Sequence, residues 1–214
     1  MVVFFVWDLT INFAACMPDH IHPIFDSILS RSDKEQLLGQ KGLVIWLTGL
    51  SGSGKSTLAK GLERKLFENG IITKLLDGDN LRTGLNAGLG FSDEDRNENI
   101  RRVAETAKLF LESGIVTICS FVSPTSEIRS LARNIIGEDD FYEIYVFATF
   151  EECARRDVKG LYEKAIRGEI KNFTGLDAPF EPSEDPFLTL NTESDSEEES
   201  LDKLFEAILP RIKN

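Results

Sequence analysis

Apolar residues fall along this chain in two alternating spacings. Short runs of strand length stand at Leu43–Leu47, Ile71–Leu76, Ile115–Cys119, Tyr142–Phe147 and Phe187–Leu190. The third run is almost wholly apolar, as expected of a strand buried on both faces. Between the runs lie helical patterns. Leu58–Leu66 follows the first run, and Ile100, Val103, Ala104, Ala107 and Leu111 form a stripe after the second. Further helices are expected from Thr125 to Ile136, after a capping Thr149, and along Leu201, Leu204, Phe205, Ile208 and Leu209 to an end near Pro210. Asp33–Leu38 reads as a short helix leading into the first strand. Strands alternating with helices predict an α/β fold, with a mainly parallel five-stranded sheet and helices on both faces.

Residues 157–185 break this rhythm. They are polar and punctuated by Gly160, Gly168, Gly175, Pro179 and Pro182, and they carry Lys159, Lys164, Arg167 and Lys171. A stretch this long without an apolar pattern reads as a lid or binding loop. The expected organisation is an extension and lead-in over residues 1–37 and one catalytic-sized domain over 38–214.

The first strand runs directly into glycines. Gly49-Leu50-Ser51-Gly52-Ser53-Gly54-Lys55-Ser56 matches G-x-x-x-x-G-K-[ST], with Thr57 next and a helix opening behind it. Glycines let successive backbone N–H groups turn inward around phosphate oxygens, and the helix N-terminus adds its positive dipole end. Lys55 is placed to reach the β- and γ-phosphates of a nucleoside triphosphate, and the Ser56 hydroxyl to ligate Mg²⁺. A strand before the motif and a helix after it favour this phosphate loop over a merely flexible Gly/Ser stretch. The second strand ends in Asp77-Gly78-Asp79-Asn80. Carboxylates at a strand's carboxyl end sit where α/β sheets bind ligands, so they read as metal ligands or proton acceptors, although a D-G turn with a helix cap explains the same letters.

The formal net charge of -12 argues against binding a long polyanion, so no nucleic-acid partner is expected. Residues 1–16 are apolar but lack Lys and Arg, are interrupted by Asp8 and Asn12, and are too short to span a bilayer. Neither a signal peptide nor a membrane anchor is expected there; Phe13–Cys16 resembles a lipoprotein site only faintly. An extension upstream of Met17, or an organelle-targeting variant, fits better. Cys16, Cys119 and Cys153 have neither disulfide-framework nor zinc spacing, which suits a reducing compartment such as the cytoplasm. His20 and His22 both precede the phosphate loop, so a histidine-based dyad is not expected. No N-K-x-D tetrad for guanine occurs, which disfavours a GTPase. The residues alone therefore describe a small-molecule kinase. Its acceptor stays open, among them a nucleoside or a sugar acid, and so does a nucleotide-binding regulatory domain without turnover.

Longer matches narrow the choice. The phosphate loop, Leu76–Arg82, Leu89-Gly90-Phe91-Ser92 with Asp95-Arg96, Ser120–Pro124, Arg156–Tyr162 and Gly168–Gly175 resemble, in this order, the adenylyl-sulfate kinase (APS kinase) family. The resemblance spans about residues 38–212. It implies transfer of the γ-phosphoryl of ATP, with Mg²⁺, to the 3′-hydroxyl of adenosine 5′-phosphosulfate, a step of sulfate activation. It also implies roles. Lys55, Asp79 and Ser123 would be catalytic, with Asp79 the base or orienting carboxylate at the 3′-hydroxyl, and Ser56 and Asp77 would lie at the metal. Ser123 is a site residue here, since P-loop kinases need only in-line transfer and no phosphoserine. Arg82, Arg96 and Asn99 would grip the phosphosulfate, and Phe91 and Phe173 would sandwich the adenine. Asn80, Val122, Ser123, Lys159 and Asn172 would complete the acceptor side. The family tends toward a homodimer; a separate ATP sulfurylase partner is possible, but the sequence does not show one. Two departures stand out: Val146-Phe147-Ala148-Thr149-Phe150 lacks an aspartate the family often carries, and Ile166 stands where the lid is often basic.

Overall fold

A computed structural model describes residues 20–213 of the 214-residue chain; the expectations for residues 1–16 lie outside them. The elements follow in order: α1 (Arg31–Leu38), β1 (Leu43–Thr48), α2 (Lys55–Glu68), β2 (Thr73–Asp77), α3 (Gly78–Arg82), α4 (Asp93–Leu111) and β3 (Val116–Ser120). Then come α5 (Ser126–Ile136), β4 (Phe141–Phe147), α6 (Phe150–Arg156), α7 (Leu161–Ile166), β5 (Leu188–Asn191) and α8 (Glu197–Ile212). The five strands form one sheet in the order β2-β3-β1-β4-β5, parallel at each pairing.

The central strand explains the layers. All six residues of β1 are buried, and their side chains alternate between two cores. Leu43, Ile45 and Leu47 meet Leu58, Leu62 and Leu66 of α2 and Leu204, Ile208 and Ile212 of α8. Val44 and Trp46 face the other way, onto Ile100, Val103, Ala104 and Ala107 of α4 and Ile128, Ala132 and Ile136 of α5. Trp46 lies 5.5 Å from Phe121 and 5.7 Å from Phe141, ring centre to ring centre. Each such large side chain, fully buried, stabilises by about 1.5–3 kcal/mol. The sheet thereby holds the carboxyl ends of β1, β2 and β3 in fixed register, and the loops that follow them open on one side of the molecule.

Four boundaries differ from the sequence reading. α8 runs through Pro210 to Ile212, because Ile212 is fully buried and its carbonyl accepts from Lys41 N at 2.9 Å. Those ties outweigh one missing N–H donor in the last turn. The expected lid contains α7, whose first N–H groups, on Tyr162 and Glu163, both donate to the Asp157 carboxylate at 3.0 Å. Asp77-Gly78-Asp79 opens a helix rather than a plain turn: Asp77 caps the single-turn helix α3 by accepting from Asp79 N at 3.1 Å. Finally, the proposed division at 37/38 cuts through α1. Arg31 of that helix makes a bidentate pair with Asp140 at 2.6 and 2.7 Å and donates to the Gly42 carbonyl at 2.8 Å. The lead-in is thus packed on the domain from Arg31 onward.

Candidate active site

The loop from Gly49 to Gly54 joins β1 to α2 and takes a path that side chains resist. Gly49 has φ 150°, and a Cβ there would stand 2.4 Å from the Val146 carbonyl oxygen. Gly54, the residue capping α2, has φ 100°. At the first residue of α2, Lys55 is buried, and its ammonium donates to the carbonyls of Gly49 at 2.9 Å and Leu50 at 2.7 Å. Burial draws its pKa down to about 8. The loop carbonyls hold the cation at the place where phosphate oxygens would take it over.

One residue on, Ser56 Oγ donates to Asp77 Oδ2 at 2.8 Å and lies 3.4 Å from Ser120 Oγ. Three hard oxygen donors from α2, β2 and β3 therefore meet at the loop's mouth. Mg²⁺ suits such a set, because it is held by one or two carboxylates and completes its shell with water and phosphate oxygens. Among the described residues there is no group of three or more His, Cys, Asp or Glu that could hold a metal by itself.

A cavity of about 270 Å³ adjoins this mouth. The phosphate loop forms one wall. Asp77, Asp79 and Arg82 form the floor, Phe91, Arg96 and Asn99 a second wall, and Ser120–Pro124 a third, with Val158, Lys159 and Tyr162 of the lid above. Asp79, in the first turn of α3, is ion-paired with Lys159, and both side chains are more than half exposed. Arg82 donates to the carbonyls of Leu89 at 2.8 Å and Gly90 at 3.1 Å, and its guanidinium lies 4.2 Å from the centre of the exposed Phe91 ring. Arg96 ties the second wall to the lid: it donates to Phe91 O at 3.1 Å, Thr174 Oγ1 at 3.1 Å and Asn172 O at 2.7 Å. Asn99 is buried and accepts from Asn86 Nδ2 at 2.9 Å.

The structure brings most of the expected residues to this cavity: Ser51, Gly52, Gly54, Lys55, Ser56, Thr57, Asp77, Asp79, Arg82, Phe91, Arg96, Asn99, Val122, Ser123 and Lys159 all line it. Gly49, Leu50, Ser53, Asn80, Asn172 and Phe173 do not. Phe173 instead packs edge-on against Tyr162, ring centres 4.9 Å apart, beside Leu50 and Phe150. The expected sandwich with Phe91 is therefore not assembled in this conformation, because a small apolar cluster behind the phosphate loop takes the ring. Ser123 also departs from its catalytic expectation. Its hydroxyl is buried, accepts from Trp46 Nε1 at 3.0 Å and donates to Thr48 Oγ1 at 3.2 Å. These bonds turn it into the core, where it stitches the end of β3 to the end of β1.

Other residues went unnoticed in the sequence. Arg156 donates to Thr192 O at 2.6 Å and Thr192 Oγ1 at 3.1 Å, and Thr192 donates to Ser53 O at 2.9 Å. Tyr162 donates to Ser51 O at 2.7 Å. Together they brace the phosphate loop. Arg156 and Tyr162 stand inside one of the family-like stretches, which was a usable signal; isolated Thr192 carried none.

A parallel α/β sheet with this loop, this oxygen cluster and an adjoining acceptor cavity defines a P-loop phosphotransferase. The profile of the family described as adenylylsulphate kinase matches residues 41–191. The adenylyl-sulfate kinase of Bacteroides thetaiotaomicron is 58% identical over 195 residues, 91% of this chain and 97% of that one. That of Clostridium acetobutylicum is 56% identical over 178 residues, 83% of this chain and 88% of that one. The structure of the Mycobacterium tuberculosis APS kinase CysC in complex with AMPPNP and APS is 44% identical, with a TM-score of 0.76 over 79% of this chain and 98% of that chain. The chain belongs to the adenylyl-sulfate kinase family.

Proposed function

We infer that this protein transfers the γ-phosphoryl group of ATP to the 3′-hydroxyl of adenosine 5′-phosphosulfate, giving 3′-phosphoadenosine 5′-phosphosulfate and ADP. The observation that carries this reading is one cavity shared by the phosphate loop and the Arg82, Phe91 and Arg96 wall, with Asp79 between them. The bond from the β–γ bridging oxygen to the γ-phosphorus breaks, the bond from the 3′-oxygen forms, and ADP leaves. Lys55 and the backbone N–H groups of Ser51–Ser56 hold the transferring phosphates, supplying charge stabilisation where it grows. Ser56 and Asp77 would hold Mg²⁺, which when bound neutralises charge on the β- and γ-phosphates. Asp79 orients the 3′-hydroxyl and accepts its proton, while its ion pair with Lys159 holds the carboxylate in place. Arg82 and Arg96 exchange loop carbonyls for the anionic phosphosulfate, which they recognise through fork-shaped donors. Phe91, already faced by Arg82, offers an aromatic surface to the purine. The buried Ser123 hydroxyl favours direct in-line transfer over a phosphoserine intermediate. The working assembly is a homodimer, and a separate sulfate-adenylylating enzyme supplies the acceptor.

Purified protein given ATP, Mg²⁺ and adenosine 5′-phosphosulfate should release ADP and the 3′-phosphorylated product in equal amounts. Lys55→Ala should abolish nearly all of it while leaving the melting point close to wild type. Turnover with a nucleoside or sugar acid but none with adenosine 5′-phosphosulfate would overturn the acceptor assignment. Sedimentation of the same preparation tests the dimer.

A further inference from the structure

One ion pair lies outside the cavity yet touches what shapes it. Glu143 is on β4, in register with Trp46 of β1, and is 4% exposed; Arg129 is on α5 and 5% exposed. Around them the core is apolar, with Trp46, Phe141, Ile128 and Ala132. Charges buried there lose their hydration, and well-packed apolar residues commonly serve stability as well or better. Stability alone is therefore a poor account of the pair.

Its geometry offers another. Arg129 Nε lies 3.1 Å from Glu143 Oε1, while Arg133 donates to Glu143 Oε2 at 3.0 Å. The far end of the Arg129 guanidinium points away from Glu143. Nη1 donates to the Ser123 carbonyl at 3.0 Å, and Nη2 reaches the Pro182 carbonyl at 3.4 Å. Ser123 has φ 38°, a left-handed conformation that costs a non-glycine residue strain and persists only where the surroundings hold it. Trp46 and Thr48 hold its hydroxyl, and its carbonyl accepts from Arg129 and, more distantly, from Thr48 Oγ1 at 3.3 Å. Pro182 belongs to the arm by which the lid returns to the sheet. Beside it, Glu181 N donates to Pro124 O at 2.8 Å, and Ser126 N donates to Glu181 Oε2 at 2.7 Å.

We propose that Arg129 and Glu143 form a buried positioning pair that sets the acceptor wall at Val122–Pro124 against the phosphate loop and anchors the returning arm of the lid. Neither residue lines the cavity, so both act through Ser123 and Pro182. Glu143 attracts the guanidinium from the sheet side by charge, its Oε1 accepting no hydrogen bond, and the planar fork then spans two carbonyls from separate segments. A lysine cannot make that span, because its ammonium is a single point charge. The proposal rests on the acceptor reading given above.

Arg129→Lys and Glu143→Gln test it, singly and together, by steady-state kinetics in both substrates well below each variant's melting point. kcat/KM for adenosine 5′-phosphosulfate should fall about tenfold or more in each single variant, since a small misplacement of a binding wall has effects of that size. KM for ATP should stay within about twofold, and the double variant should lose little more than the worse single one, as expected of coupled residues. Tryptic cleavage within residues 157–185, which needs no substrate, should be faster in both variants. Equal losses for ATP and acceptor, or a lower melting point with unchanged kinetics and unchanged cleavage, would overturn the pair's positioning role. Wild-type turnover in the same assay reports separately on the acceptor reading. If Arg129→Lys does not fold, Glu143→Gln, which preserves size and shape, decides alone.

Discussion

Lys55 carries its charge in a setting that disfavours it. Burial lowers its pKa from the ordinary 10.5 to about 8. With the folded value below the unfolded one, the native state releases this proton first, so stability rises as pH climbs from about 8 to 10.5. That is the reverse of a lysine gaining an ion-pair partner. Bound triphosphate brings negative charge to the ammonium and restores its proton. Nucleotide binding at about pH 8.5 should therefore take up a fraction of a proton that binding at about pH 7 does not. Calorimetry in two buffers of different ionisation enthalpy measures this, and equal uptake at both pH values would contradict it. Asp79 gives a second prediction at this scale. Asp77, not Asp79, caps α3, so a capping role no longer competes with a chemical one for the Asp79 carboxylate. Asp79→Asn should lower kcat by about 10²-fold or more through lost basicity. Its exposed pair with Lys159 is worth only about 0–1 kcal/mol, so the melting point should barely move. An unchanged kcat at saturating substrates would move the role to Asp77.

The lid is the element on which the proposed acceptor site leans most. Arg96 grips its Asn172 carbonyl, Asp157 nucleates α7 within it, and Phe173 rests on Tyr162. For the ring to reach the purine opposite Phe91, this segment must shift with the acceptor bound. Phe173→Ala should therefore weaken acceptor binding by about 1–3 kcal/mol, the range for one aromatic stacked on a base. ATP affinity should change little, and the melting point should fall slightly through the lost Tyr162 contact. Measuring both dissociation constants and the melting curve checks all three. Equal losses for the two ligands would assign Phe173 to packing alone. The lid also shows where reading the chain stops short. Its length and glycines announced a loop, but α7 depends on one carboxylate, Asp157, placed to accept two N–H groups. The apolar face of α7, with Tyr162 and Ala165 buried, spans only six residues, too short a run for a helical period to stand out.

At the scale of the whole molecule, the question is where the folded unit begins. The family match starts at residue 41, yet Arg31 reaches across to Asp140 before β4, and Glu35 accepts from Gly42 N at 2.8 Å. Removing residues 1–16 should leave activity and melting point nearly unchanged. Removing residues 1–38 should lower the melting point by several degrees, at about 2–4 °C per kcal/mol for a chain of this size. Thermal melts of both truncations check this, and indistinguishable curves would show that α1 contributes nothing.

The layered architecture and the phosphate loop were already determined along the chain. Both rest on local regularities: strand-length apolar runs, helical stripes, and a glycine loop whose backbone path and helix-end lysine are adjacent in sequence. The acceptor half was legible only as family-like stretches, because its walls come from α3, α4, the β3–α5 connection and the lid. Tertiary structure alone decided three things there. It turned the Ser123 hydroxyl inward onto Trp46 and Thr48, it seated Phe173 on Tyr162, and it set Arg129 between Glu143, Ser123 and Pro182. Each is a choice among partners distant in sequence. A residue's type says what it can bond, while the packing of the sheet and helices determines which bond is within reach.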